Sequence, residues 1–313
     1  MRRLRIRLKS LGRGARLFWR EFSHNRLAVL GVILIVIFGL MALSHPLLMR
    51  YRWPSGIYDP LTGFDMSVFP HPSPPGPGHL LGTDSLGRDV LSMLLASTGP
   101  TWVLAITAAA TTAVVSMIVG AIGAFFRGWI DSVLSHISDA FLLLPAPIFM
   151  LIIGSGDLSD LMSPIPFGLI YGFITGVGAG AIVIRSQALQ VMAHPFIDAA
   201  RVAGGSSRHL ITRHLLPHLF PLAALYMMLS VVGAVVAYGF AAYLGQTDSL
   251  VNWGTMVYYG TTFSVAIGAP IPWISVIAPA ASLSLFAAAF YLVSVGLREV
   301  ADPRFRARRR REV

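Results

Sequence analysis

Apolar residues in this chain come in blocks, not in the alternations of a soluble domain. Six blocks stand out: Leu27–Leu48, Thr101–Phe126, Val133–Ile153, Ile165–Ile184, Leu219–Leu244 and Pro272–Leu297. A helix that crosses a bilayer needs about 20 apolar residues, and every block has that length. The pattern therefore predicts an all-α integral membrane protein with six transmembrane helices. Pro145, Pro147, Pro164 and Pro166 interrupt the third and fourth blocks. Proline is tolerated in a membrane helix where neighbouring helices satisfy the freed carbonyls.

The polar stretches between the blocks differ in kind. Met49 to Pro100 is the longest; Tyr51 to Gly78 within it is rich in Pro and Gly and reads as irregular loop. Its later part carries Leu86, Val90, Met93 and Leu94 at helical spacing, which predicts an amphipathic helix capped by Thr83 or Asp84. Gly245 to Ile271 is mostly uncharged, and its Trp253, Tyr258 and Tyr259 suit an interfacial aromatic belt. Arg185 to His218 is too polar for the bilayer, yet Leu189, Met192, Phe196, Ala200 and Ala203 recur at three- and four-residue intervals. That spacing predicts a short amphipathic helix ended by Gly204 and Gly205. Small residues at Ala199, Ala200 and Gly204 would let a partner approach closely, with Asp198 and Arg201 at the rim. On spacing alone, an ordinary connecting helix lying on the membrane fits equally.

Composition agrees with a membrane protein: 55% of residues are hydrophobic and 12% charged, about half the charged fraction of a soluble domain. The formal charge of +10 would suit a nucleic-acid partner, but basic residues crowd the two ends, which points to topology signals and lipid headgroups instead. With the N-terminus inside, 21 of the 24 Lys and Arg residues fall on inner segments, and only Arg50, Arg52 and Arg88 fall outside. The positive-inside rule thus places both termini and Asp198 in the cytoplasm. The basic lead to Arg26 and the long apolar run after it argue against a cleavable signal peptide; Arg13 to Asn25 is expected along the inner membrane surface. The chain has no cysteine, so neither a disulfide nor a thiolate metal site can form.

Candidate chemistry is sparse. Asp84 and Asp89, five residues apart at a helix start, suit capping and pairing with Arg88 better than a converging acid/base pair. His214 and His218 have the spacing of helical zinc ligands, but Pro217 lies between them; His194 and His209 are also nearby. His136 and Asp139 lie near the inner end of the third block. Intramembrane acids are candidate proton relays, although Asp139 can instead pair with Arg127. The only lysine is Lys9 and no phosphate-binding GxxxxGK[ST] loop occurs, so any ATP must be bound by another chain.

Two motifs carry a resemblance. Asp198-Ala199-Ala200-Arg201-Val202-Ala203-Gly204, flanked by Arg185-Ser-Gln-Ala-Leu and Arg213-His214-Leu-Leu-Pro217, resembles the coupling loop of ABC-importer permeases. Leu81-Gly82-Thr83-Asp84-Ser85-Leu86-Gly87-Arg88-Asp89-Val90 is similar to the outer signature of the dipeptide/oligopeptide (and nickel) branch. Leu244-Gly245 with Asn252-Trp253-Gly254-Thr255-Met256, and Gly296-Leu297-Arg298 with Asp302-Pro303-Arg304, match the same branch, so the likeness covers roughly residues 15–306. Asp198 stands where glutamate is usual, Val295 where the branch commonly has aspartate, and the second outer loop lacks the usual Pro-Pro pair.

The resemblance implies a C-type permease subunit of a type I importer in a bacterial or archaeal inner membrane. It would work with a B-type permease, two ATPase subunits holding ATP and magnesium, and an extracytoplasmic substrate-binding protein. It implies no catalysis, cofactor or metal in this chain and no nucleic-acid partner. The expected organisation is a basic cytoplasmic segment at 1–26, a first helix at 27–48 and an outer loop with an amphipathic helix at 49–100. A five-helix core follows at 101–297, including the coupling loop 186–218, and then a basic tail at 298–313. In that scheme a helix over 190–206 docks on the ATPases, with Asp198, Ala199, Ala200, Arg201, Gly204 and Pro217 carrying the contact. Gly82, Thr83, Asp84, Gly87, Arg88 and Asp89 form the outer signature. Peptides, nickel chelates, glutathione and glycosylated compounds all travel through this branch. The competing readings are an ion-coupled transporter or channel working through Asp139 and His136, and a membrane-embedded enzyme.

Overall fold

Helix formation starts where a side chain can satisfy the first free amide groups. Asn25 accepts from the amides of Leu27 and Ala28 and opens α1, Arg26–Tyr51. Asp89 accepts from Ser92 and opens α2, Val90–Phe125. A computed structural model of the protein describes residues 19–154, 159–244 and 251–301. The remaining elements are α3 (Trp129–Leu143), α4 (Ala146–Gly154), α5 (Pro164–Met192), α6 (Pro195–Val202), α7 (Ser207–Tyr243), α8 (Trp253–Tyr258) and α9 (Trp273–Ala301). Five helices are long and apolar enough to cross a membrane, and α3 with α4, bent by 75°, makes a sixth broken span. No strand occurs among the described residues, only two isolated bridges. Residues 13–18, Gly245 and Asp302–Arg304, which entered the sequence reading, lie outside the described residues.

The sequence expectation needs four corrections here. There is no separate outer amphipathic helix: α2 runs unbroken from Val90 through Pro100 to Phe125. Proline removes one backbone donor, and side chains brace that stretch. Ser97, Thr98 and Thr101 donate to the carbonyls of Met93, Leu94 and Ser97 at 2.8, 3.0 and 2.8 Å, and Trp253 Nε1 donates to Leu94 at 3.2 Å. Trp253 is consequently a core residue, 1% exposed, and not an interfacial anchor. The third block does not form one straight span; it breaks between Leu143 and Ala146, at Pro145. The fourth runs on to Met192, so Leu189 and Met192 belong to the spanning helix.

Helix α2 lies at the centre, packed on α1, α5 and α7, while α9 packs on α1 and α7. Phe38, Trp102, Trp253 and Phe286 meet through tilted and edge-on ring contacts in the main core. Mid-span, the buried Thr112 hydroxyl ties three helices together, reaching Ser230 Oγ at 2.7 Å, Thr175 Oγ1 at 3.0 Å and the Gly172 carbonyl at 3.2 Å. Nearer α6 a second apolar cluster gathers Ala121, Ala124, Ile184, Ala188, Val191, Ile197, Leu215 and Leu219. At Gly178 the backbone leaves helical geometry inside α5, and a Cβ there would come within 3.1 Å of the Leu142 amide, so the end of α3 packs directly on this bend.

Candidate functional site

The polar connection after α5 forms a compact elbow. Helix α6 is only eight residues long, starting at Pro195 with His194 at its N-cap. It does not extend over 190–206, because the chain turns at Ala193 and His194. Its end is set by Gly204 at φ +81°. The Gly204 amide bonds to the Arg201 carbonyl at 3.1 Å and the Gly205 amide to the Ala200 carbonyl at 3.0 Å. These two bonds complete a Schellman cap, whose left-handed position favours glycine. Ser206 then caps the start of α7, which takes a wide turn over Ile211–Leu215 just before Pro217. Pro217 is thus a residue of a continuous helix and not of a loop.

Ile197, fully buried, fastens α6 to the bundle. The other positions are exposed or nearly so, with Val202 at 90%. Ala199 and Ala203 are exposed beside it, whereas Ala200 is half-buried. The free face therefore centres on Val202 and Ala199 and not on Ala200. Asp198 and Arg201 face each other at 3.6 Å, both exposed. Phe196 stacks on His194 and His218, with ring centroids 5.7 and 5.4 Å apart. His218 Nδ1 donates to the His214 carbonyl at 2.6 Å, and no cluster suited to a metal occurs among the described residues.

The other motif builds a buried clasp. The bridge between Thr83 and Asp89 closes a tight turn around Asp84–Gly87, with Gly82 and Gly87 at positive φ. Neither Thr83 nor Asp84 caps a helix; Asp89 does. One oxygen of Asp84 accepts the amides of Leu86 and Arg88 at 3.0 and 2.9 Å, and the other accepts Arg88 Nε and Nη2 at 2.8 and 2.6 Å. Arg88 lies 4.5 Å over the Tyr259 ring, and Ser85 bonds to Ser264. The motif thereby locks onto residues 253–266, far away in sequence. His79, 2% exposed, reaches Asp89 at 2.8 Å and Asp65 at 3.1 Å. Burial raises the pKa of Asp89, while hydrogen bonds from Ser67 and His79 lower that of Asp65.

In α3, Asp131 takes both the Nε and Nη2 donors of Arg185, so the ion pair joins α3 to α5. Asp139 forms no ion pair with Arg127. It stays exposed, as does His136.

Residues 113–307 match the family described as binding-protein-dependent transport system inner membrane component. The chain belongs to this family. It is a permease subunit of the ABC-importer class. Residues 15–60 also match the N-terminal transmembrane domain of oligopeptide transport permease C. A putative peptide transport system permease protein of Brucella abortus is 30% identical over 292 residues, covering 92% of this permease and 91% of that protein. Oligopeptide transport system permease proteins OppC of Mycobacterium tuberculosis and Bacillus subtilis are each 28% identical, over 294 and 298 residues. The first pairing covers 93% of this permease and 95% of the relative, and the second covers 92% and 90%.

Sequence reasoning missed several residues that shape the permease's two sites. Nothing near Tyr259 or Ser264 in sequence points to Arg88 and Ser85, which meet them only in the fold. His79 carried no local signal for its place between two aspartates. Val202 was legible in principle: it is the large apolar residue three positions after Ala199, on the same helical face.

Proposed function

We propose that this permease is the C-type half of the membrane pathway in an ATP-driven importer, and that α6 is the element the ATPase subunits grip. One observation carries this reading: an eight-residue helix is held to the bundle by Ile197 and by Phe196 on His218, and otherwise offers a free face of Ala199, Val202 and Ala203. A short helix fastened in this way transmits a push to the second apolar cluster and from there to α5 and α7. The charge distribution supports α6 and both termini in the cytoplasm, and the clasp outside. A B-type permease would complete the pathway, two ATPases would hold ATP and magnesium, and a binding protein would deliver solute to the clasp side. The names of the relatives support peptides or peptide-like small solutes as cargo.

The test is Val202→Arg in the assembled importer. The position is exposed, so the chain should fold and insert normally. Docking should weaken about a hundredfold, the effect of roughly 3 kcal/mol. ATPase pull-down and ATP-dependent peptide uptake should fall together. Normal uptake with the ATPases still bound would remove α6 from the coupling role. Uptake without any ATPase subunit would favour an ion-coupled transporter.

A further inference from the structure

We infer that Ser132, His136 and Asp139 of α3 line the aqueous route through the membrane and receive a cationic group, such as an ammonium, of the transported solute. The inference rests on the importer reading and adds a place and a chemistry to it. The three residues recur at i, i+4 and i+7, so they form one stripe on the helix. Ser138, on the opposite side, is 3% exposed and faces the bundle, whereas all three stripe residues are exposed. Depth follows from contacts made by the same helix. Asp131 pairs with Arg185 and Leu142 packs on Gly178, so α3 runs alongside the membrane-crossing part of α5. Asp139 lies between those two levels, about one turn from Leu142.

A carboxylate at that depth does not face lipid; it needs a partner or water. Among the described residues no ion pair reaches Asp139: Arg185 acts on it only from a distance, its Nε and Nη2 being held by Asp131. His136 strengthens the reading. Its Nδ1 donates to the Ser132 carbonyl at 2.6 Å. With Nδ1 engaged there, Nε2 is the ring atom left to meet a donor. Carboxylate, imidazole nitrogen and hydroxyl oxygen together form a row of acceptors, which is what a group with several N–H donors and a positive charge requires. Leu143, 82% exposed, continues the stripe one turn further. Val133 and Ile137 hold the apolar flank.

The chain lacks cysteine, which makes the test direct. Leu143→Cys and Ile137→Cys are introduced separately in the assembled importer in membrane vesicles. Each is exposed to membrane-impermeant cationic and anionic methanethiosulfonates, and ATP-dependent uptake is measured on the same vesicles. Leu143→Cys should react with the cationic reagent about tenfold faster or more, the lower end of what a focused field produces. Adding Asp139→Asn should remove the preference and leave the reaction itself. Ile137→Cys should not react. No reaction at Leu143→Cys in the complex, with reaction in the chain alone, would place the stripe in a subunit interface and overturn the proposal. Equal rates for the two reagents with Asp139 intact would also overturn it. Charge-selective reaction in vesicles without ATP-dependent uptake would uphold the stripe and count against the importer reading instead.

Discussion

Asp84→Ala tests whether the outer motif is a structural clasp. The Asp84 carboxylate accepts four N–H groups, two of them from the Arg88 guanidinium, and both residues are under 5% exposed. Truncation leaves Arg88 charged, buried and supported only by the Tyr259 ring and its own reach to water. Removing one partner of a buried pair costs about 3–5 kcal/mol. Removing both, as in Asp84→Ala with Arg88→Met, should recover most of that. The residual loss, about 1–3 kcal/mol, comes from the unpaired amides of Leu86 and Arg88. Hydrogen exchange reads the effect locally. In the single variant, amides of residues 82–92 should exchange about a hundredfold faster or more, since each 1.4 kcal/mol is a factor of ten. Residues 253–266 should loosen with them, because Arg88 and Ser85 hold Tyr259 and Ser264. The amides of α5 and α7 should not change. Unchanged exchange at 253–266, or a double variant no more protected than the single one, would refute the clasp.

Other outcomes follow from the same geometry. Gly204→Val should cost about 1–2 kcal/mol at the left-handed cap and reduce both uptake and ATPase pull-down, while Gly204→Asn should be milder. Thr112→Val should lower the thermal stability of the solubilised protein by about 1–3 kcal/mol, the cost of unpaired hydroxyls at the three-helix junction, and Thr112→Ser should restore it. The clasp should also respond to pH. The lowered pKa of Asp65 means that its contribution is complete above the ordinary value of 3.8 and disappears as pH falls through its folded value. Trp53 stacks on Tyr58, whose ring faces His79, so its fluorescence should report opening in acid below about pH 4, and Asp65→Asn should abolish that step. Asp89, with a raised pKa, works in the opposite direction: its protonated form favours the fold, and that contribution fades as pH rises through its folded value.

Much of the fold was legible because lipid imposes a local rule. A segment that crosses a bilayer must be long and apolar throughout, whatever it packs against, so hydropathy located the membrane-crossing segments. The end of the short polar helix was legible for a related reason. A left-handed cap needs glycine, and Gly204 marked the end of α6 correctly; the sign at its start, Pro195 directly after His194, was there to read but was passed over. Helix continuity was not legible. Pro100 reads as a boundary, yet α2 continues through it where the helix is packed inside the bundle and Trp253 bonds to Leu94.

The chain's own order of residues thus determined its class, its membrane-crossing segments and the two motifs that mark its family. Only the tertiary structure decided what those motifs touch. Arg88 meets Tyr259 across some 170 residues of sequence, Ile197 is buried beneath α6, and Arg185 forms its ion pair with Asp131 while Asp139 stays exposed. Hydropathy and caps act within a few residues of the chain. Burial, charge pairing and exposure depend on which distant segments arrive at the same place, and only the packed helices settle that.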